Sequence, residues 1–156
     1  MTPAVYQFVE SLELSGKVLD VGSFNVNGCV RALFPDYTGV DMRPGRNVDQ
    51  VANAHNLPFP DEHFDHVLSL EMIEHDDAFW SSFEEMKRVL RPGGMLVITT
   101  RGIGFPKHEY PSDYWRFTRE ALVALFHGME RIRVVEDTKD MGVFGCACKS
   151  SRRASR

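Results

Sequence analysis

The chain has 156 residues, 43% of them hydrophobic, and a net charge of −4 from 18 basic and 22 acidic side chains. That length supports one domain with a proper core, and the acidic balance argues against electrostatic capture of nucleic acid. No apolar run approaches membrane length and the N-terminus lacks a secretory h-region, so a cytoplasmic protein with no membrane partner is expected.

In chain order, Thr2 as N-cap and Pro3 at the first helical position open a helix. Its Val5, Phe8, Val9 and Leu12 share one face, and Ser15 and Gly16 are its expected stop. Val18, Leu19 and Val21 then form a short β-branched strand of the kind buried on both faces. The strand carries Asp20 and runs into Gly22; Gly28 follows, and CVRALF starts a short helical pattern ending at Phe34 and Pro35. Strand, glycine turn and helix make the junction where an α/β sheet binds a nucleotide-like ligand, outside the carboxyl end of its first strand. A dinucleotide fingerprint would place a second glycine where Phe24 stands, and no phosphate-cradling lysine follows. An acid inside the turn points instead to a ligand carrying a cationic amine, although Asp-x-Gly turns are common at strand ends.

Residues 37–40 form a second strand with Asp41 at its end, about 20 residues after Asp20, the spacing at which a carboxylate holds ribose hydroxyls. Capping the next turn is the alternative role for Asp41; its pairing with the Asp20 turn favours ribose. Val51 and Ala52 suggest a short third strand, and residues 64–70 a fourth, closing at Glu71. From Asp76 the pattern is helical: Asp76 or Asp77 can cap, Phe79, Phe83, Met86 and Leu90 recur at helical spacing, and Phe79, Trp80 and Phe83 read as core. Arg91, Pro92, Gly93 and Gly94 end the helix, and MLVITT is a fifth, continuous strand.

The segment RGIGFPKHEYPSDYWRFT fits no regular element, and a loop of that length in a compact domain tends to be functional. It lies on the same carboxyl edge as the turns above, so a lid is one reading and a self-packed Ω-loop the other. Thr118 caps a last helix faced by Leu122, Leu125 and Phe126 and stopped by Gly128. RIRVVE, a turn at Lys139 and Asp140, and GVFGCACK complete the strands. Cys29, Cys146 and Cys148 form no C-x-x-C pair and read as reduced thiols, two of them buried in the last strand. The division expected is one domain over 1–148 and a disordered basic tail over 149–156, without which the charge is near −8.

Five stretches, VLDVG (18–22), GVD (39–41), NAHNLPFPDEHFDHVLS (53–69), EMIEH (71–75) and RVLRPGGMLVITT (88–100), occur in an order and spacing that resembles class I S-adenosylmethionine-dependent methyltransferases, particularly the type 11 small-molecule group. The HxYPSDYWR pattern in the irregular segment is similar to stretches in some members. The resemblance implies an α/β fold: a Rossmann-like, doubly wound, mostly parallel seven-stranded sheet with an antiparallel last strand, helices on both faces and no separate cap domain. It implies that Asp20, Gly22, Ser23 and Phe24 border the methionine portion of S-adenosylmethionine, with Asp20 near the ammonium. Asp41 would hold the ribose and Met42 the adenine face. Asn53 would replace the family's usual acid at the adenine amino group, Ala54 and His55 would meet the ring edge, and Leu70 and Glu71 would close the methionine end.

Methyl transfer from a sulfonium mainly needs nucleophile and methyl aligned. An acceptor hydroxyl also needs a base, and His108 in the lid and His75 after the fourth strand are the candidates. Tyr110, Asp113, Tyr114, Trp115 and Arg116 are the candidate acceptor contacts. No metal is expected: Glu71, Glu74, His75, Asp76 and Asp77 form an acidic cluster of the sort hard cations bind, but acids ahead of a helix are also ordinary dipole complements. The expected acceptor is a small metabolite, sugar or lipid-linked intermediate, with S-adenosylhomocysteine as product, in a monomer or a homodimer. Two other readings stay open, an inactive cofactor-binding regulatory or partner subunit and an NAD(P)-dependent oxidoreductase.

Overall fold

Apolar side chains on both faces of the central strands decide how the layers form. In the computed structural model, which describes residues 1–108 and 112–151, the elements are α1 (Pro3–Glu10), β1 (Lys17–Val21), β2 (Asp36–Asp41), β3 (Gln50–Val51), β4 (Phe64–Leu70), α2 (Phe79–Val89), β5 (Leu90–Arg101), α3 (Arg119–Leu125), β6 (Glu130–Asp137) and β7 (Gly142–Cys148). Short 3-10 turns stand at Arg31–Leu33 and Ile73–His75. The strands form one sheet in the order β3-β2-β1-β4-β5-β7-β6. β1 to β5 run parallel, and β7 is antiparallel to both β5 and β6.

Successive strand residues feed opposite faces. Leu19, Leu96, Ile98 and Val143 pack with Phe83, Met86, Leu122 and Phe126 of α2 and the α3 end. Val18, Leu68, Val97 and Phe144 pack with Val5, Phe8 and Val9 of α1. Helices thus cover both faces, which is why the central strands read as unbroken apolar runs. Among the described residues no helix is long and apolar enough to cross a membrane.

The helix ends show where local chemistry prevailed. Thr2 Oγ1 accepts the Val5 N–H, as its position suggests. α1, however, stops at Glu10 rather than at Ser15: the Ser11 N–H donates to the Gln7 carbonyl, its hydroxyl donates to the Phe8 carbonyl at 2.7 Å, and Glu13 turns left-handed (φ 48°). The larger correction concerns CVRALF, which forms only the 3-10 turn. Val30 and Phe34 are buried under α1, while Arg31 reaches away to Asp49 at 2.5 Å and Asn47 at 2.8 Å and lies over the Tyr37 ring. These long-range pins, with Pro35 just beyond, leave no run of residues for helix propagation.

α2 begins after Ala78, not at Asp76 or Asp77. The Asp76 carboxylate nevertheless steadies that end, accepting the Ala78 N–H at 3.0 Å and the Ser82 hydroxyl at 2.5 Å. Phe83 is buried and Phe79 half-buried against the core, but Trp80 is 53% exposed, against the core reading. At the other end, Lys149 donates from Nζ to the carbonyls of Lys87 and Leu90 at 2.8 and 2.7 Å. A cation on the last carbonyls of a helix complements its dipole, so Lys149 packs with the domain; residues 152–156 of the expected tail lie outside the described residues. Thr118 Oγ1 accepts the Ala121 N–H and caps α3.

Candidate cofactor and acceptor site

Parallel strands bring their carboxyl ends to one edge. β1 lies between β2 and β4, so the chain's course reverses beside it, the switch point where doubly wound sheets leave a crevice. Asp20 pairs in register with Gly39 of β2 and Leu68 of β4, and Asp41 closes β2. A cavity of about 540 Å³ opens there. It is lined by Asp20, Gly22, Ser23, Phe24, Asp41, Met42, Asn53, Ala54, His55, Leu70 and Glu71, and also by His75 and His108.

The turn after β1 takes its shape from two contacts. Gly22 adopts φ +83°, and a Cβ there would lie 2.3 Å from Met72 Cγ, so only glycine lets the Met72 side chain cross the turn. Phe24 turns its ring onto Gly45, with the Arg43 guanidinium 5.0 Å away on the ring. The turn is therefore not a phosphate cradle: no helix starts after it, and a bulky ring occupies the place of the second glycine. That removes the physical basis for the NAD(P) alternative.

The two acids differ in state. Asp20 is buried, its Oδ2 accepting the Tyr37 hydroxyl at 2.5 Å and its Oδ1 left without a hydrogen-bond partner among the described residues. Burial pushes its carboxyl up to about 6, against the Tyr37 hydrogen bond and the Arg31 charge that favour ionisation. A buried carboxylate with one orphaned oxygen, on a residue that lines the cavity, fits a cationic amine. Asp41 accepts the Arg43 N–H at 3.0 Å through Oδ1 and the Phe24 N–H at 3.4 Å through Oδ2, so each oxygen keeps capacity for a hydroxyl. Met42 is 64% exposed beside it, a free apolar face for a base. Asn53 Oδ1 already accepts the His55 N–H at 2.8 Å, leaving its second lone pair for an amino group.

Near β4 and β5, Glu71 and Arg101 form a buried ion pair, and Glu71 sits in left-handed backbone (φ 57°). Burial pushes the Glu71 carboxyl up although Arg101 opposes it. Glu74, wholly buried behind, is pushed up to about 8, first by burial and then by the Glu71 charge. Arg101 was not among the expected site residues; an arginine directly following a long apolar strand was the available signal.

The irregular segment after β5 divides the expected acceptor contacts. Tyr114 lines the cavity. Asp113 does not: it accepts both Arg116 guanidinium nitrogens at 2.5 and 2.6 Å and the His108 N–H at 2.7 Å, and Arg116 holds its carboxyl well below the usual range. Arg116 also donates to the carbonyls of Phe105 and Pro106. Trp115 donates from Nε1 to the Asp76 carbonyl and packs on Phe79 and Trp80. These three therefore staple the segment to the domain, while His108 and Tyr114 line the cavity; Tyr110 lies outside the described residues. The His108 imidazole is pulled below its ordinary pKa, chiefly by burial and then by the His75 charge.

A family of sequences described as methyltransferase domain matches residues 19–98, half of the chain and the part that builds this crevice. The chain belongs to that family. The chain's curated relatives include a mouse protein named probable tRNA methyltransferase 9B, 35% identical over 107 residues that span 62% of this chain and 24% of the relative. Another is phthiotriol/phenolphthiotriol dimycocerosates methyltransferase 1 of Mycobacterium ulcerans, 40% identical over 105 residues, 56% of this chain and 39% of the relative. The chain thus spans between about a quarter and two fifths of these relatives' lengths. Among solved structures, a Thermotoga maritima S-adenosylmethionine-dependent methyltransferase, described as a possible histamine N-methyltransferase, superposes with a TM-score of 0.78 at 21% identity over 94% of this chain and 88% of that one. Burkholderia thailandensis 1,6-didemethyltoxoflavin-N1-methyltransferase, with its acceptor and S-adenosylhomocysteine bound, gives 0.72 at 20% identity over 95% and 77%. At such identities these structures establish the fold, the seven-stranded methyltransferase sheet expected above, while S-adenosylmethionine is the cofactor of the family.

Proposed function

We propose that this methyltransferase moves a methyl group from S-adenosylmethionine to a small acceptor, a metabolite, sugar or lipid-linked intermediate. The observation that carries the reading is the placement of Asp20 and Asp41 on neighbouring parallel strands, both lining one cavity, with Asp20 Oδ1 unpartnered. When bound, the cofactor supplies a methyl on a sulfonium sulfur, which an acceptor nucleophile displaces in line. Asp20 binds the ammonium and Asp41 the ribose hydroxyls, while Gly22, Ser23 and Phe24 offer backbone to the methionine end. Met42, Asn53, Ala54 and His55 border the base, and Leu70 and Glu71 close the methionine side. His75 and His108 stand on the lid side of the cavity, where an acceptor hydroxyl loses its proton.

A small acceptor is supported by the way Asp113, Arg116 and Trp115 fold this segment back on the domain, so that among its described residues Arg101, His108, Ser112 and Tyr114 line the space. The mouse relative's name supports RNA as a second reading.

Calorimetric titration with S-adenosylhomocysteine tests the grip: Asp41→Ala should weaken binding by about ten- to a hundredfold, the loss of hydrogen bonds to a charged group. No binding to the unaltered protein, or equal binding to the variant, overturns the reading. A labelled-methyl assay with small hydroxylated acceptors in one arm and tRNA in the other separates the two acceptor classes. Cofactor binding with no transfer in either arm assigns the chain to the inactive-subunit reading.

A further inference from the structure

Three side chains beside the cavity converge without a part in gripping the cofactor. Glu74, His75 and His108 each place one ligand-capable atom so that all three atoms lie within 4.8 Å of one another. Glu74 is fully buried. Its Oε2 accepts the Thr100 hydroxyl at 2.9 Å, and its Oε1 is buried with no hydrogen-bond partner among the described residues. His75 directs Nδ1 at the Ser112 carbonyl. That contact puts the ring proton on Nδ1 and leaves a lone pair on Nε2, the arrangement by which metal-binding histidines are usually oriented. The His108 ring stands edge-on to His75 with centroids 4.7 Å apart, and Asp113 holds its backbone N–H.

Packing alone leaves this cluster unexplained. Among the described residues no hydrogen bond joins the three to one another, and a buried Glu74 oxygen is left without a partner. The neighbouring His55, Asp76 and Asp77 group differs, because Asp76 is fully used by His55, Ala78 and Ser82.

We propose that Glu74, His75 and His108 bind one divalent transition-metal cation at the lid side of the cavity. Two imidazole nitrogens and a carboxylate oxygen favour Zn²⁺, Mn²⁺ or Co²⁺ over Mg²⁺ or Ca²⁺, which take oxygen shells. Three protein ligands leave coordination positions open, as in catalytic rather than structural sites. His75 and His108 line the cavity and Glu74 closes the site from behind, so the open positions belong to a ligand in the acceptor space. The cation also ties the lid, through His108, to the turn after β4. Its role rests on the methyl-transfer reading: an acceptor hydroxyl bound to the cation gives its proton to solvent water at a lower pH than a free one. Its oxygen lone pair then forms the bond to the methyl carbon as the carbon–sulfur bond breaks toward sulfur. The acceptor class is one with metal-binding oxygens, such as adjacent hydroxyls.

The test is Zn²⁺ titration of the full chain by calorimetry, with Co²⁺ absorbance as a coordination signature. One Zn²⁺ per chain is expected, with affinity reduced by about ten- to a hundredfold in His108→Ala and Glu74→Gln. His127→Ala, beyond α3, should leave it unchanged. His108→Ala changes a half-exposed lid residue and keeps the test valid if Glu74→Gln unfolds. Absence of saturable binding by Zn²⁺ and Mn²⁺, or binding that His108→Ala retains in full, overturns the site. S-adenosylhomocysteine titration of the same samples separates the readings. Nucleoside binding without cation binding removes only the metal site, and cation binding without nucleoside binding removes only the methyltransferase reading.

Discussion

At Asp20, stability and binding pull in opposite directions. Its carboxyl titrates at about 6 in the fold against an ordinary 3.8, with burial outweighing Tyr37 and Arg31 and with the Asp41 charge adding to the rise. Ionised Asp20 therefore costs the folded state stability above about pH 6, a cost that fades as pH falls toward the unfolded value. Binding has the reverse sign. Below about pH 6 the carboxyl is neutral and an ammonium ligand must expel its proton, so S-adenosylhomocysteine affinity should fall by about tenfold per pH unit there and level off toward neutrality. Asp20→Asn should flatten that profile, weaken binding by about ten- to a hundredfold and leave the neutral-pH melting temperature equal or higher, since the amide still accepts the Tyr37 hydroxyl. Calorimetry across pH and a melting curve check both halves.

Among elements, the turn after β1 depends on glycine for two separable reasons, a left-handed backbone and space for Met72. Gly93 supplies the comparison: its φ of +78° is close to the +83° of Gly22, yet a Cβ there would meet nothing within 4 Å. Gly93→Ala should cost about 1 kcal/mol of conformational strain, and Gly22→Ala about 1–3 kcal/mol more, because Met72 must move. Urea unfolding of the two variants measures the difference. The strands were legible in sequence because helices cover both sheet faces, so no alternation was needed to see Phe64–Leu70. Asp20 and Asp41 stood out in sequence because each lies at the carboxyl end of an apolar strand, which is why both come to line one cavity. The helix after Gly28 was misread because the apolar periodicity of CVRALF serves burial of Val30 and Phe34, while Arg31 is held at a distance by Asp49 and Asn47. Asp113 and Arg116 looked like acceptor contacts, since charge in a loop suggests function; nothing in the local sequence tells that they satisfy each other.

For the molecule as a whole, cofactor binding and folding are linked. A nucleoside that binds only the folded chain at about a hundred times its Kd adds about 2.7 kcal/mol, which for a domain of this size raises the melting temperature by roughly 5–10 °C. S-adenosylhomocysteine should give that shift and NADH none, in a thermal scan of the unaltered protein. The sheet order carries another consequence. β7 lies between β5 and β6, so a strand made after both of its neighbours fills the gap between them. Until residues 142–148 emerge from the ribosome, β5 has an open backbone edge and β6 lacks its one strand partner among the described residues. A reading frame interrupted before β7 would thus yield a nascent chain with an adhesive margin, prone to pairing with its own copies.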